Sequence, residues 1–313
     1  MCGISGIFNF NNQSVDNNQL LMMNQLIHHR GPDGNGVFTE ANIGLGNTRL
    51  AIIDLRHLAD QPMFDFDERY VITYNGEIFN FVELRVELVK KGYKFKTNSD
   101  TEVILNSYRE YGEDCLQKLN GMWAFAIWDR KEKSLFCSRD RYGIKPFYYF
   151  KDYEKFIFGS EIKQILSCGV SKEVNDNIIY DFLVFNFLDH TEETFFKNIF
   201  KLPAGCKISL KNNEFIVSRW YNLPLEVNDG LNTDTLYKNF YDLIYDSVKI
   251  RLRSDVEVGS CLSGGIDSSS IVCLMHNILN DEGKTHMQKT YTACYDEPMI
   301  DERKFVEEVI KQT

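Results

Sequence analysis

Three absences narrow what this chain can do. It has no basic excess: 45 acidic residues against 35 basic ones leave a net charge of −10 at pH 7. A nucleic-acid surface needs cations to neutralise phosphates, so none is expected. A small phosphorylated ligand stays open, because backbone amides at a helix start can hold one. Second, the eight cysteines, at 2, 115, 137, 168, 206, 261, 273 and 294, form no CxxC pair. Neither a zinc site nor a dense disulfide framework is expected, no other metal site is read, and the setting reads as reducing and cytoplasmic. Third, no apolar run reaches the roughly 18 residues that a transmembrane helix needs. The first residues also lack the charged-then-apolar layout of a leader, and there is no internal repeat or low-complexity tract.

What is present points first to the start, Met1-Cys2-Gly3-Ile4-Ser5-Gly6-Ile7-Phe8. Removal of Met1 would give one residue both a free α-amine and a thiol. An α-amine has an ordinary pKa of roughly 7.7–8.0, so a useful fraction is neutral near neutral pH and can take the thiol's proton. That is nucleophile and base in a single residue. The bland alternative is a small buried cysteine at the head of a strand.

The 313 residues, 43% hydrophobic and 26% charged, suit two globular domains. Residues 4–10 read as a strand. Residues 15–27 read as a helix with Leu20, Met23, Leu26 and Ile27 on one side. Two strands are expected over 37–53, meeting near Gly44 to Asn47. Another spans 70–74 and runs into a turn at Asn75-Gly76. Helices follow over 79–91 and from Ser99-Asp100 into 103–111. Hairpins are expected at 122–138 and 147–159, then helices at 161–167 and 177–187. Strand-dense then helix-dense blocks predict an α+β first domain of stacked sheets covered by helices, over 2–205. A linker is expected over 206–235. From 236 to 313 a helix, a strand (256–262), a helix and a strand (291–295) open a parallel α/β domain. Two strands make too small a sheet, so the expectation is an N-terminal portion of a longer protein.

The second strong signal is Leu262-Ser263-Gly264-Gly265-Ile266-Asp267-Ser268, between that strand and helix. The glycines let backbone approach an anion, and the serines and free N–H groups of the helix start supply donors. No Gly-Lys-Ser/Thr follows, so it is not a Walker loop. It suits pyrophosphate, the group released when ATP adenylates a carboxylate.

Together with Cys2-Gly3-Ile4, the pieces His29-Arg30-Gly31-Pro32-Asp33, Arg49-Leu50, Tyr74-Asn75-Gly76-Glu77-Ile78, Ser99-Asp100-Thr101-Glu102, Arg139-Asp140-Arg141-Tyr142-Gly143-Ile144-Lys145-Pro146 and Ser160-Glu161-Ile162-Lys163 resemble a class II glutamine amidotransferase domain. With the Ser-Gly-Gly-Ile-Asp-Ser loop downstream, the whole chain resembles the glutamine-hydrolysing asparagine synthetase family. The resemblance implies a four-layer αββα N-terminal-nucleophile fold followed by the start of a Rossmann-like nucleotide domain. It implies Cys2 attacking the glutamine amide, Asn75 and the Gly76 N–H as oxyanion hole, Arg49 on the glutamine α-carboxylate and Asp100 on its ammonium. Leu50, Ile53 and Glu77 would line that pocket. Leu262 and Ala293 would touch adenosine, and Ser263, Gly264, Gly265, Asp267 and Ser268 would hold pyrophosphate. The implied substrates are glutamine, aspartate and Mg-ATP. Ammonia would pass through a dry passage to a β-aspartyl-AMP intermediate, and a homodimer is implied. Taken singly, Arg49 and Asp100 also read as surface ion pairs. Asp301-Glu302-Arg303 reads as a capped helix start. Another carboxylate acceptor, a glutaminase-only fragment and a non-catalytic glutamine binder that keeps Met1 are the alternatives.

Overall fold

A computed structural model describes residues 1–225, 232–284, 288–297, 299 and 301–313. The elements of the first unit run β1 (Gly3–Asn9), α1 (Asn17–Leu26), β2 (Gly34–Glu40), β3 (Ile43–Arg49), β4 (Met63–Phe64), β5 (Tyr70–Ile78), α2 (Phe81–Lys90), α3 (Asp100–Tyr111), α4 (Cys115–Lys118), β6 (Gly121–Asp129), β7 (Ser134–Arg139), β8 (Tyr148–Lys151), β9 (Lys155–Gly159), α5 (Ile162–Leu166), α6 (Asp176–Phe185), β10 (Ile199–Lys201), β11 (Cys206–Lys211) and β12 (Glu214–Arg219). They form two six-stranded sheets, ordered β10-β8-β9-β1-β3-β2 and β12-β11-β7-β6-β5-β4. Every pairing between these strands is antiparallel.

Period-two alternation along the strands builds the layers. Ile4 and Phe8 of β1 face Ala124, Ala126 and Trp128 of β6 between the sheets. Ile7 points the other way, to Leu20 and Met23 of α1 and Ile165 of α5. Trp123, Phe125 and Ile127 of β6 point outward beneath Leu84 and Leu88 of α2 and Val103 and Ile104 of α3. Helices, sheet, sheet and helices therefore stack in the αββα order. Gly44 and Gly46 let α1 lie close on β3: an added Cβ would meet Leu20 Cδ1 at 2.6 Å at one and Asn24 Oδ1 at 2.6 Å at the other.

The structure corrects three local expectations in the first unit. The β2–β3 turn lies at Ala41-Asn42, with Ala41 at φ +51°, so Gly44 to Asn47 are mid-strand. Asn75-Gly76 is no turn: β5 continues through it, with Asn75 opposite Ala124 and Gly76 opposite Trp123. The first stretch of the expected linker is a hairpin, β11 and β12, extending the second sheet beyond β7. Asn212 and Asn213 make its turn at φ +52° and +63°, the left-handed pair that a type I′ turn requires. Residues 226–231 of that linker lie outside the described residues.

The chain divides into Met1–Pro224 and Leu225–Thr313. The second unit holds α7 (Thr233–Arg251), β13 (Gly259–Cys261), α8 (Ile266–Asp281), β14 (Lys289–Tyr291) and α9 (Arg303–Gln312). β13 pairs parallel with β14, as the alternating pattern requires. Both strands are shorter than expected, and the second ends at Tyr291 rather than Tyr295. Leu262, Val272 and Val306 form its small buried cluster. Among the described residues, no helix is long and apolar enough to cross a membrane.

Candidate active site

Cys2 precedes β1, and β3 runs beside that strand and ends at Arg49, one residue before Leu50. This register brings the Cys2 sulfur to the Leu50 backbone: Leu50 N–H donates to Sγ at 3.3 Å, and Sγ lies 3.5 Å from Leu50 O. Cys2, Arg49, Leu50, Ile53, Asn75, Gly76, Glu77 and Asp100 line one pocket, joined by Met1, Ile52, Gln61, Tyr74, Ser99, Thr101, Met122 and Lys145. Burial pushes the Cys2 thiol up, against a smaller opposing effect of the Leu50 hydrogen bond. At rest it is a thiol, so attack requires a base. Met1 precedes it, so the Cys2 nitrogen here is a peptide amide.

Two donors in the pocket stand ready. Asn75 is buried, and among the described residues its Nδ2 has no hydrogen-bond partner. The Gly76 N–H follows from strand parity. Tyr74 N–H donates to Gln61 Oε1 at 2.6 Å and Ile78 N–H to Asp100 Oδ2 at 3.0 Å, both away from β6. Gly76 lies between them with the same parity. Trp123, opposite, engages Asp140 through both its N–H and its C=O. The Gly76 N–H therefore turns to the same free edge as its neighbours. Glycine is needed there, since an added Cβ would stand 2.2 Å from Met122 O.

Asp100 opens α3 behind the cap of Ser99, whose Oγ accepts Thr101 N–H. Its Oδ2 accepts from Tyr74 Oη at 2.8 Å as well as from Ile78, while Oδ1 lies 3.5 Å from Ser99 Oγ. Burial pushes its pKa up, opposed by those hydrogen bonds. Arg49 is buried, and its outer nitrogens are occupied. Nη1 donates to Asp60 Oδ1 at 2.8 Å and Arg56 O at 3.1 Å, and Nη2 to Ile53 O at 3.3 Å and to Asp54 O. The guanidinium thus braces the 53–60 loop. A carboxylate would reach Nε or exchange with one of these oxygens.

In the second unit, Ser263, Gly265 and Asp267 are exposed, and Ser268 and Gly264 are half-buried. The Ser263 and Ser268 hydroxyls lie 3.1 Å apart, and Ser268 Oγ donates to Gly265 O at 3.2 Å. Gly265 caps α8 without a side-chain hydrogen bond. Gly264 stands at φ +80° against α9, where an added Cβ would meet Phe305 Cβ at 2.7 Å. Leu262 is buried behind the loop, with its N–H on Tyr291 O, and Ala293 is exposed just past β14.

Residues 1–221 match the family model described as "Glutamine amidotransferase domain", and residues 239–313 match "Asparagine synthase". The chain belongs to the glutamine amidotransferase family. It is 41% identical over 275 residues to "Asparagine synthetase [glutamine-hydrolyzing] 1" of Bacillus subtilis, covering 87% of this chain and 43% of that protein. It is 38% identical over 320 residues to "Putative asparagine synthetase [glutamine-hydrolyzing] 2" of Methanocaldococcus jannaschii, covering 95% and 61%. The chain thus spans about half the length of these relatives. The solved glutamine phosphoribosylpyrophosphate amidotransferase of B. subtilis superposes at a TM-score of 0.54 with 16% identity, covering 93% of this chain and 65% of that one. At that identity the likeness is one of fold.

Within this amidotransferase domain the motif residues mostly hold one another. Arg30 donates Nε to Cys2 O at 3.1 Å and pairs with Glu161 at 3.2 Å. Asp33 Oδ2 accepts Ala51 N–H. Ser160 Oγ accepts Ile4 N–H at 2.9 Å. Glu102 accepts the N–H groups of Lys96 and Thr97. Sequence reasoning missed Gln61, Tyr74 and Lys145 as pocket residues. Tyr74 and Lys145 stood within quoted motifs without a role, and Gln61 carried no such signal.

Proposed function

We propose that the first unit hydrolyses glutamine with Cys2 as nucleophile, once Met1 is removed and the Cys2 α-amine is free. The amine takes the thiol proton, the sulfur attacks the side-chain amide carbon, and Asn75 Nδ2 with the Gly76 N–H receives the developing oxyanion. Asp100 Oδ1 takes the substrate ammonium, and Arg49 the α-carboxylate. The amine then passes its proton to the leaving ammonia, and water releases glutamate from the thioester. The observation that carries this reading is the buried, unpartnered Asn75 Nδ2 in the Cys2 pocket. An orphaned buried donor costs about 1–3 kcal/mol and calls for a ligand.

We further propose that the parent protein spends the ammonia on a carboxylate activated by ATP. Aspartate is the acceptor that the printed names of the relatives favour. Ser263, Gly264, Gly265, Asp267 and Ser268 would hold the pyrophosphate, with Mg2+ arriving on the nucleotide. Leu262 and Ala293 would face adenosine. A glutamate-release assay with Cys2→Ala tests the first half. Activity should vanish in the variant, and intact mass should show Met1 absent from active protein. An unchanged rate in Cys2→Ala would refute the assignment.

A further inference from the structure

The pocket also holds a charge that the proposed cycle does not use. Lys145 is only 5% exposed. A buried ammonium is costly unless it is paired or put to use. Its Nζ meets the Met1 thioether at 3.3 Å, a weak acceptor, and among the described residues no carboxylate lies within ion-pair distance of it. The placement is nonetheless heavily built. The fully buried Asp140 accepts the N–H groups of Trp123, Tyr142, Ile144 and Lys145 at 3.0–3.2 Å. Arg139 donates to Lys145 O at 2.8 Å and to Gly143 O and Leu202 O at 2.6 Å. Gly143 stands at φ +67°, where an added Cβ would press on the Arg139 guanidinium at 3.0 Å. The Arg139–Pro146 segment is a cage that delivers one ammonium to the Cys2 pocket.

We propose that Lys145 is a positioning residue for the nucleophile: its buried positive charge in the Cys2 pocket keeps the amine at the chain start free of its proton, able to accept that of Cys2. The proposal rests on the reading of Cys2 as the attacking thiol. A neighbouring cation disfavours the protonated amine and favours thiolate, so one charge serves both sides of the transfer. The groups around the chain start are few. The Met1 amine feels Cys2, Arg30 from the turn after α1, Lys145, and Asp33 before β2. Burial presses the Lys145 ammonium down, Glu77 of β5, Cys2 and Asp140 oppose this, and Arg30 adds to it. Burial presses the amine down most, Arg30 and Lys145 add to it, and Cys2 and Asp33 oppose. Arg30 is paired with Glu161, whereas among the described residues Lys145 is in no ion pair. Loss of Met1 takes away its thioether contact and brings the amine onto the nucleophile itself.

The test compares Lys145→Met, of similar length and uncharged, with Lys145→Arg, which keeps the charge. All proteins are checked for Met1 removal by intact mass. The amine is titrated by NMR on [13C]cysteine-labelled protein, with the Cys2 resonance assigned through Cys2→Ala, and glutaminase pH profiles are recorded beside it. In Lys145→Met the amine midpoint and the acidic limb of the rate should both move up by about one pH unit. The rate at pH 6 should then fall roughly tenfold, and Lys145→Arg should restore the wild-type midpoint. An unmoved midpoint in Lys145→Met overturns the proposal, as does a rate loss uniform across pH. The NMR titration needs no turnover, so it decides the role of Lys145 even if Cys2→Ala shows the glutaminase reading to be wrong.

Discussion

Asn75→Ala separates an oxyanion donor from a structural amide, because the two roles move activity and stability in different directions. Asn75 is 1% exposed, and its Nδ2 finds no partner among the described residues. A structural asparagine would lose its hydrogen bonds on truncation and destabilise the domain by about 1–3 kcal/mol. Here the amide donor has no bond to lose. Its removal relieves a desolvation penalty of similar size, offset by the contacts that the side chain gives up. The net expectation is a change within about 1 kcal/mol, or roughly 2–4 °C in the melting temperature of a unit this large. In the transition state of the proposed reaction the same N–H group would face a developing charge. Loss of one such donor costs about 10²–10³ in kcat, or about 3–4 kcal/mol. The binding groups for the amino acid backbone are untouched, so KM should stay within about threefold. Calorimetry and steady-state glutamate release on the same preparation give both numbers. A melting temperature lowered by 8 °C or so with kcat nearly intact would refute the reasoning.

Asp100→Asn keeps an acceptor for Ile78 N–H and Tyr74 Oη but removes the charge. KM for glutamine should rise by about 100-fold or more, while the unliganded protein gains stability at neutral pH. The sign follows from burial. The folded-state pKa of Asp100 lies above its ordinary value, so the folded state binds a proton more readily than the unfolded one. Its destabilising contribution is present above the raised pKa and fades as pH falls through it toward the ordinary carboxylate range. The stability advantage of Asp100→Asn, measured by denaturant titration, should therefore shrink at acid pH. Gly76→Ala should cost more than about 2 kcal/mol, because the new methyl has Met122 O at 2.2 Å and Tyr74 Cε2 at 2.5 Å; a variant that melts with the wild type would show that β5 and β6 are not so closely apposed.

Much of the candidate site's gathering into one pocket was legible in the sequence because its residues are held by short segments. Ser99 announces the start of α3, and that cap places Asp100 without help from distant chain. The Arg49-Leu50 pair ends a strand whose register against β1 follows from alternation. The failures have one physical character. Asn-Gly is the strongest dipeptide signal for a hairpin turn, and at 75–76 tertiary packing overrides it. Gly76 is required by the approach of Met122 O across the sheet, and Asn75 by the pocket. Neither demand leaves a local trace. The β11–β12 hairpin did leave one: buried Cys206, Ile208 and Leu210 alternate with less buried neighbours before Asn212-Asn213. The Lys-Leu-Pro-Ala-Gly segment ahead of it has the composition of a domain boundary, and that weight of local signal pointed the wrong way.

The same contrast explains why the motifs are longer than the chemistry needs. Two donors, one carboxylate, one guanidinium and one thiol suffice for the proposed reaction. Holding a terminal cysteine is harder, because a chain start is anchored from one side only and frays by default. Here the anchoring comes from outside the strand ladder. Arg30 takes Cys2 O, Leu50 brackets the sulfur, Ser160 takes Ile4 N–H, and Glu161 ties Arg30 back to the segment after β9. They come from three separate motifs, and each is separated in sequence from the residue it holds by at least 28 positions. A local helix or turn could not supply that set. A two-sheet sandwich with β1 between β3 and β9 can, since both neighbours end beside the chain start. The fold thus over-determines the chain start, so that the Asn75 amide and the Lys145 ammonium share one pocket with a Cys2 that is held in place, the arrangement that the proposed reaction needs.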